Sequence, residues 1–301
     1  MADQRIAKRI ALERIHALLH RHVVILDVPD ETYVNDINAY LLQLQGDRRP
    51  NAAYLAHLQP DLNEDMRAQV INWMIGVADE YNLLPESVCL AVSLLDRFLS
   101  RNDIKRGVLQ LVGTASLMIA AKCEELRRTP KAADYCDMAV DSFSVKQLLR
   151  KEAEVLRSLA FEVGDPTVIT FVRRFTVVAH SQIEFQTSSL TLKALTQYLS
   201  ELSLLEYELL QFWPNLIAAA VVFLARFTLK ARLHPWNLDL QHVTGFRPPE
   251  LRGCVGILQD LQCGRRAGNA DLVRIKFRKR KFKHVANLTP NEIPDNFFED
   301  I

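Results

Sequence analysis

Lys122 and Glu152 are the two side chains whose types and spacing point to chemistry. Lys122 closes an apolar run, Ile119-Ala120-Ala121, and Glu152 ends the sequence Leu149-Arg150-Lys151-Glu152 two predicted helices further on. Two opposite charges on otherwise apolar helices can hold each other and still reach an outside partner. Buried together they lose much solvation, which mutual attraction offsets only if the remaining donors and acceptors are also filled. An incompletely satisfied pair therefore invites the backbone groups of a partner. Taken alone, a Lys/Glu pair is more often an internal helix-to-helix salt bridge.

Other chemistries find no residues to carry them. There is no Gly-rich phosphate loop, no Gly-x-Ser-x-Gly elbow and no kinase signature. The eight histidines show no metal-ligand spacing, so neither a metal nor another cofactor is expected. Cys89, Cys123, Cys136, Cys254 and Cys263 form no Cys-x-x-Cys pair and read as reduced thiols of an intracellular protein. Lys and Arg number 37 against 36 Asp and Glu, so a net charge of +1 creates no global field for nucleic acid or a membrane. Met1 to His22 interleave five Arg and Lys with apolar residues, unlike a signal peptide. The longest apolar runs, near Leu117–Ala121 and Leu216–Ala225, are well short of the roughly 20 residues a membrane helix needs.

The elements that must position the pair are helices. Of 301 residues 49% are hydrophobic and 24% charged, a globular composition that suggests two domains. Apolar periodicity is helical almost throughout, and no alternating stretch makes a convincing strand, so the chain reads as all-α. Ile6 to Leu19 outline a basic amphipathic segment, and Tyr33, Ile37, Tyr40 and Leu41 share a face of a second helix. Helices are then expected from Asn63, from Pro85, over Val108–Glu125, near Lys131–Met138 and over Ser144–Leu159. After Gly164-Asp165-Pro166 the pattern restarts: Val168–Val178, Leu190–Leu204, Leu216–Leu229, Trp236–Val243 and Pro249–Leu261. The third helix of each set is the most apolar and should be central to its bundle. The division is an N-terminal helical extension (1–62), a first bundle (63–164), a repeat (165–284) and a tail (285–301).

Several motifs occur in order: Met66-Arg67-Ala68-x-Val70-Ile71-x-Trp73, Leu95-Asp96-Arg97-Phe98-Leu99, Leu109-Gln110-Leu111-Val112-Gly113-Thr114, Ala121-Lys122-Cys123-Glu124-Glu125 and Leu149-Arg150-Lys151-Glu152. With Glu201-Leu202-Ser203-Leu204 and Ala286-Asn287-Leu288-Thr289-Pro290 they resemble the cyclin family, closest to A- and B-type mitotic cyclins, with the A type favoured. The resemblance covers Tyr33 to Pro290. It implies two tandem five-helix cyclin boxes preceded by an N-terminal helix. It further implies a non-catalytic regulatory subunit that binds and activates a cyclin-dependent protein kinase in cell-cycle control, in the nucleus and cytoplasm.

In that family the equivalents of Lys122 and Glu152 bind main-chain groups next to the kinase C helix, and Glu125 belongs to the same motif. Ile119, Leu156, Phe161 and Val163 match apolar positions pressed against that helix, although each alone also fits core packing. Tyr33 and Ile37 match residues that reach the kinase C-terminal lobe, or else pack on the chain's own surface. Cys123 stands where an aromatic residue is frequent. Met66, Trp73, Arg106 and Gln110 match a groove that holds Arg-x-Leu segments of substrates or inhibitors. Gln69 and Val70 replace the usual isoleucine and leucine there, and Gly76 replaces an acidic residue, which leaves the groove weak, retuned or absent.

Arg9-Ile10-Ala11-Leu12 fits the minimal Arg-x-x-Leu destruction signal, a pattern also common by chance. Lys276, Arg278, Lys279, Arg280, Lys281 and Lys283 form a basic cluster that suits nuclear import or nucleic-acid contact, but reads first as the solvated face of the last helix. The alternative function is a transcription factor IIB-like cyclin-box module that holds DNA or a peptide. A DNA-holding version would favour a zinc ribbon and a strongly basic box surface, neither of which appears.

Overall fold

The computed structural model describes residues 31–126, 129–140, 142–181, 189–266 and 270–300, with backbone alone at 31–35 and 180–181. The N-terminal basic segment and the Arg9–Leu12 motif lie outside the described residues, as does the Tyr33 side chain.

The first bundle begins where Asn63 accepts a hydrogen bond from the Met66 amide at 2.9 Å, with Glu64 and Asp65 favouring the positive end of the helix that follows. After α1 (Glu31–Asp47) and the short α2 (Tyr54–His57), this bundle comprises α3 (Glu64–Glu80), α4 (Pro85–Leu99), α5 (Leu109–Glu124), α6 (Ala132–Met138) and α7 (Val145–Ser158). Pro85 occupies the first turn of α4, where its missing N–H costs no helical bond. The second bundle comprises α8 (Val168–Ser181), α9 (Ser189–Leu205), α10 (Pro214–Leu229), α11 (Leu238–Thr244) and α12 (Pro248–Gln262), followed by α13 (Asp271–Phe277). Among the described residues there is no strand.

The third helix is central in both bundles. α5 packs on α3, α4, α6 and α7, and α10 on α8, α9, α11 and α12. Their side chains are buried nearly all round, from Val112 to Ala121 and from Ile217 to Phe227. Gly113 lets α5 approach α3 closely: a Cβ there would lie 3.0 Å from Val70 and 3.1 Å from the Met74 sulfur.

Buried charges join the bundles. Arg67 donates to both Asp96 oxygens at 2.8 and 2.7 Å and to the Leu204 carbonyl of the second bundle at 2.9 Å, while Tyr54 donates to the same carboxylate at 2.8 Å. At the linker, Asp165 accepts from Arg97 at 2.7 Å and from Ser93 at 2.6 Å. The Gly164-Asp165-Pro166 break is thus clamped, not loose.

The basic cluster differs from its sequence reading. α13 ends at Phe277, and the chain turns through a 3-10 segment at Arg280–Phe282, so the cluster is not one solvated helical face. Lys276 is buried and donates to both oxygens of Glu201 on α9, at 2.7 and 2.8 Å. A carboxylate at the centre of the fold needs a counter-charge, and that draws the lysine inward. Lys279 and Lys281 reach Asp79 on α3 at 2.6 and 3.2 Å.

Candidate partner-binding site

The last turn of α5 carries Lys122 and the middle of α7 carries Glu152. The two helices pack side by side, and Lys122 donates to Glu152 Oε1. The pair is not buried together as its chemistry suggested: the Lys122 side chain is 49% exposed and that of Glu152 13%. The carboxylate is therefore fixed and largely covered, while the ammonium keeps donors directed to solvent. Lys151, next to Glu152, pairs instead with Glu154 at 2.7 Å.

Exposed apolar side chains are carried by the same two helices and the turns that follow them. Val145, Leu149, Glu152 and Leu156 recur at helical spacing and share one face of α7. Leu148 takes the core position, so its neighbour Leu149 is turned outward and is 46% exposed. Leu126, just past α5, is also exposed. Neither Leu126 nor Leu149 is among the residues expected from sequence. The consecutive leucines at 148 and 149, of which only one can face a core, were the available signal.

Phe161 is 64% exposed, and its position has a backbone cause. After α7, Ala160 and Phe161 both take left-handed conformations, with φ of 52° and 59°, and the Phe161 amide returns to the Leu156 carbonyl at 2.8 Å. Left-handed φ at non-glycine residues is uncommon and costs on the order of 1 kcal/mol or more each. That turn ends the helix and throws the ring outward. Leu156 and Val163 are partly buried against the core below it.

Other expected contacts are placed differently. Ile119 is 3% exposed, within the core, because α5 is enclosed on nearly every side; it offers an outside helix almost no surface. Glu125 Oε1 accepts from the Leu84 amide at 2.6 Å and from Ser87 Oγ at 2.7 Å, fastening the start of α4. Ile37 on α1 is partly buried against the chain's own core. Met66 and Trp73 on α3 are also partly buried, Gln110 lies in the first turn of α5, and Arg106 is exposed in the 3-10 turn before it. A Cβ at Gly76 would lie 2.8 Å from Leu272 of α13. The place of the missing acidic residue is thus taken up by an apolar side chain of the chain itself.

Among the described residues no group of His, Cys, Asp or Glu could hold a metal ion, and no helix is long and apolar enough to cross a membrane. Two buried thiols are held protonated: burial pushes Cys89 up to about 12 and raises Cys254 as well.

Residues 36–164 match the family model of the cyclin N-terminal domain, and residues 166–291 that of the cyclin C-terminal domain. The chain is a cyclin. A carrot relative, G2/mitotic-specific cyclin C13-1, is 42% identical over 273 residues, 89% of this chain and 79% of the relative. Cyclin-A3-4 of Arabidopsis thaliana is 41% identical over 274 residues, 90% of this chain and 74% of the relative. The kinship of this cyclin is therefore with A-type, mitotic members. A viral cyclin from herpesvirus saimiri has the same fold, with a TM-score of 0.65 at 19% identity over 75% of this chain and 95% of that one. The two matched domains of the cyclin are the two helical bundles, and the Lys122–Glu152 surface belongs to the first.

Proposed function

We propose that this cyclin binds a cyclin-dependent serine/threonine protein kinase as a heterodimer and activates it by holding the kinase C helix in its working position. The observation that carries the reading is a half-exposed ammonium, tethered by a fixed carboxylate, with outward-facing Leu126, Leu149 and Phe161 on the same two helices and the turns that follow them. Such a surface suits a helix that buries apolar side chains in the middle and offers main-chain acceptors at its end. Interfaces of this kind draw most of their affinity from a few aromatic and aliphatic anchors.

A kinase of this class needs its C-helix glutamate paired with a strand lysine. A partner with higher affinity for the helix-in arrangement moves the equilibrium that way, in proportion to the difference in affinity. The cyclin supplies no catalytic group in this reading. Its action belongs to cell-cycle control in the nucleus and cytoplasm. Arg-x-Leu substrates would meet Met66 and Trp73 but no carboxylate at Gly76, so substrate choice rests mainly on the kinase.

Co-purification with the kinase followed by a histone-kinase assay tests the proposal. Lys122→Ala combined with Glu152→Ala should abolish association and activity while leaving the helical signal intact, since a pair open to solvent at its lysine contributes only about 0–1 kcal/mol to folding. Normal activation by the double variant would refute the assignment.

A further inference from the structure

The two boxes repeat their helix order, yet they treat one face differently. α7 and α12 start alike: the Gln147 side chain accepts from the Ser144 amide at 2.8 Å, and the Glu250 side chain from the Arg247 amide at 2.7 Å. With these starts aligned, Leu148, Val155 and Leu159 fall opposite Leu251, Leu258 and Gln262, and all six are buried. The outward residues then correspond as well. Leu149 falls opposite Arg252, and Leu156 opposite Gln259. On the central helices, matching Ala121-Lys122 with Ala225-Arg226 sets Ile119 opposite Phe223 and Cys123 opposite Phe227.

Among the described residues, this face of the first box is open at Leu149, although Ile119 is buried. In the second it is covered by residues 288–298 of the chain itself. Arg252 bonds Asp295 at 2.7 Å, and its guanidinium lies 4.9 Å from the Phe298 ring centre. Gln259 donates to the Asn291 carbonyl at 2.7 Å and Gln262 to that of Leu288 at 2.9 Å. Phe298 stacks on Phe223 at 5.1 Å, and Phe297 meets Phe227 edge-on at 5.9 Å. The contacts are those of a docked peptide: a few aromatic anchors carried on a 3-10 turn, Asp295–Phe298, one ion pair at the rim, and side-chain amides bonding main-chain carbonyls.

We propose that the α10–α12 face of the second box is a peptide-docking surface, and that its occupant is the chain's own Leu288–Phe298 segment, bound as an exchangeable ligand. The chemistry it reads is an acidic residue two places before paired aromatics, Asp295-x-Phe297-Phe298. Occupation from within keeps this face from taking a second helix of the sort suited to the first box, which confines the cyclin to one kinase. The assignment comes from the repeat and the contacts, and it goes beyond the reading of the first-box surface.

The test needs no kinase, so its failure is distinguishable from failure of the activation model. A fluorescent peptide of residues 288–300 is titrated into the full chain, wild type and Phe297→Ala/Phe298→Ala. The wild type should bind it at least tenfold more weakly than the variant, and a peptide with both phenylalanines replaced by alanine should bind neither. If the double variant loses helical signal, Arg252→Glu is the second probe. It should take up a peptide carrying Asp295→Arg in preference to the natural sequence. Folded variants that ignore their peptides would overturn the proposal. So would loss of helix in both variants that saturating peptide fails to restore, since the segment would then be an inseparable part of the core.

Discussion

Replacing Phe161 separates folding from binding more cleanly than any other change on this surface. The ring is 64% exposed, so truncation removes little that the free cyclin uses. An aromatic side chain can bury about 150–250 Å². Hiding the exposed share, about 130 Å², at about 25 cal/mol per Å² contributes about 3 kcal/mol to a partner interface. That is about a hundredfold in Kd. Phe161→Ala should therefore weaken kinase binding by about two orders of magnitude in calorimetric titration, while the urea midpoint of the free protein stays within experimental error.

Phe161→Gly sharpens the test. The left-handed φ of 59° favours glycine, and relief of that strain offsets the extra entropy glycine gains in the unfolded chain. Stability should hold within about 0.5 kcal/mol, yet the affinity loss should equal that of the alanine variant. A Kd changed less than threefold in both folded variants would show that the ring is not an anchor, however prominently it projects.

Cys123 lies beside Lys122 and is partly exposed, as is Cys263, whereas Cys89, Cys136 and Cys254 are buried. Mass-spectrometric alkylation should label Cys123 and Cys263 first, and kinase binding should shield Cys123 alone. Breaking the buried Lys276–Glu201 pair with Lys276→Met should cost about 3–5 kcal/mol in urea unfolding, because a charge is left unpaired; adding Glu201→Leu should recover most of it. Partial burial pushes the Asp79 carboxyl up, but donation from Lys279 and Lys281 outweighs it and holds the pKa below its usual value. A depressed pKa contributes stability that is complete above the unfolded value of about 3.9 and is lost as pH falls through the folded one. Asp79→Asn should therefore lower stability at pH 7 and make the melting temperature less sensitive to acid below about pH 4, as read by thermal scans.

Most of the helices were legible because they repeat an apolar face over three turns or more; all ten of the two expected sets occur, with ends shifted by three residues at most. α13 was expected only as the last helix, and its basic run hid both the inward lysine and the end of the helix at Phe277. Pairing fared worse than periodicity. Nothing local links Lys276 to Glu201 across 75 positions, or Glu125 to the Leu84 amide across 41. Nor does Ala160-Phe161 announce a left-handed turn, because neither residue is glycine.

The repeat shows why function was the harder part to read. Leu148 and Leu251, or Val155 and Leu258, answer to one constraint, a core that must be filled, and that constraint leaves a period in the sequence. Leu149 and Arg252 answer to none of the bundle's own needs, so they were free to diverge. One became part of an open apolar surface and the other the rim charge of a covered one. Packing therefore accounts for what the two boxes share, and what sets them apart lies in the outward positions that periodicity treats as interchangeable.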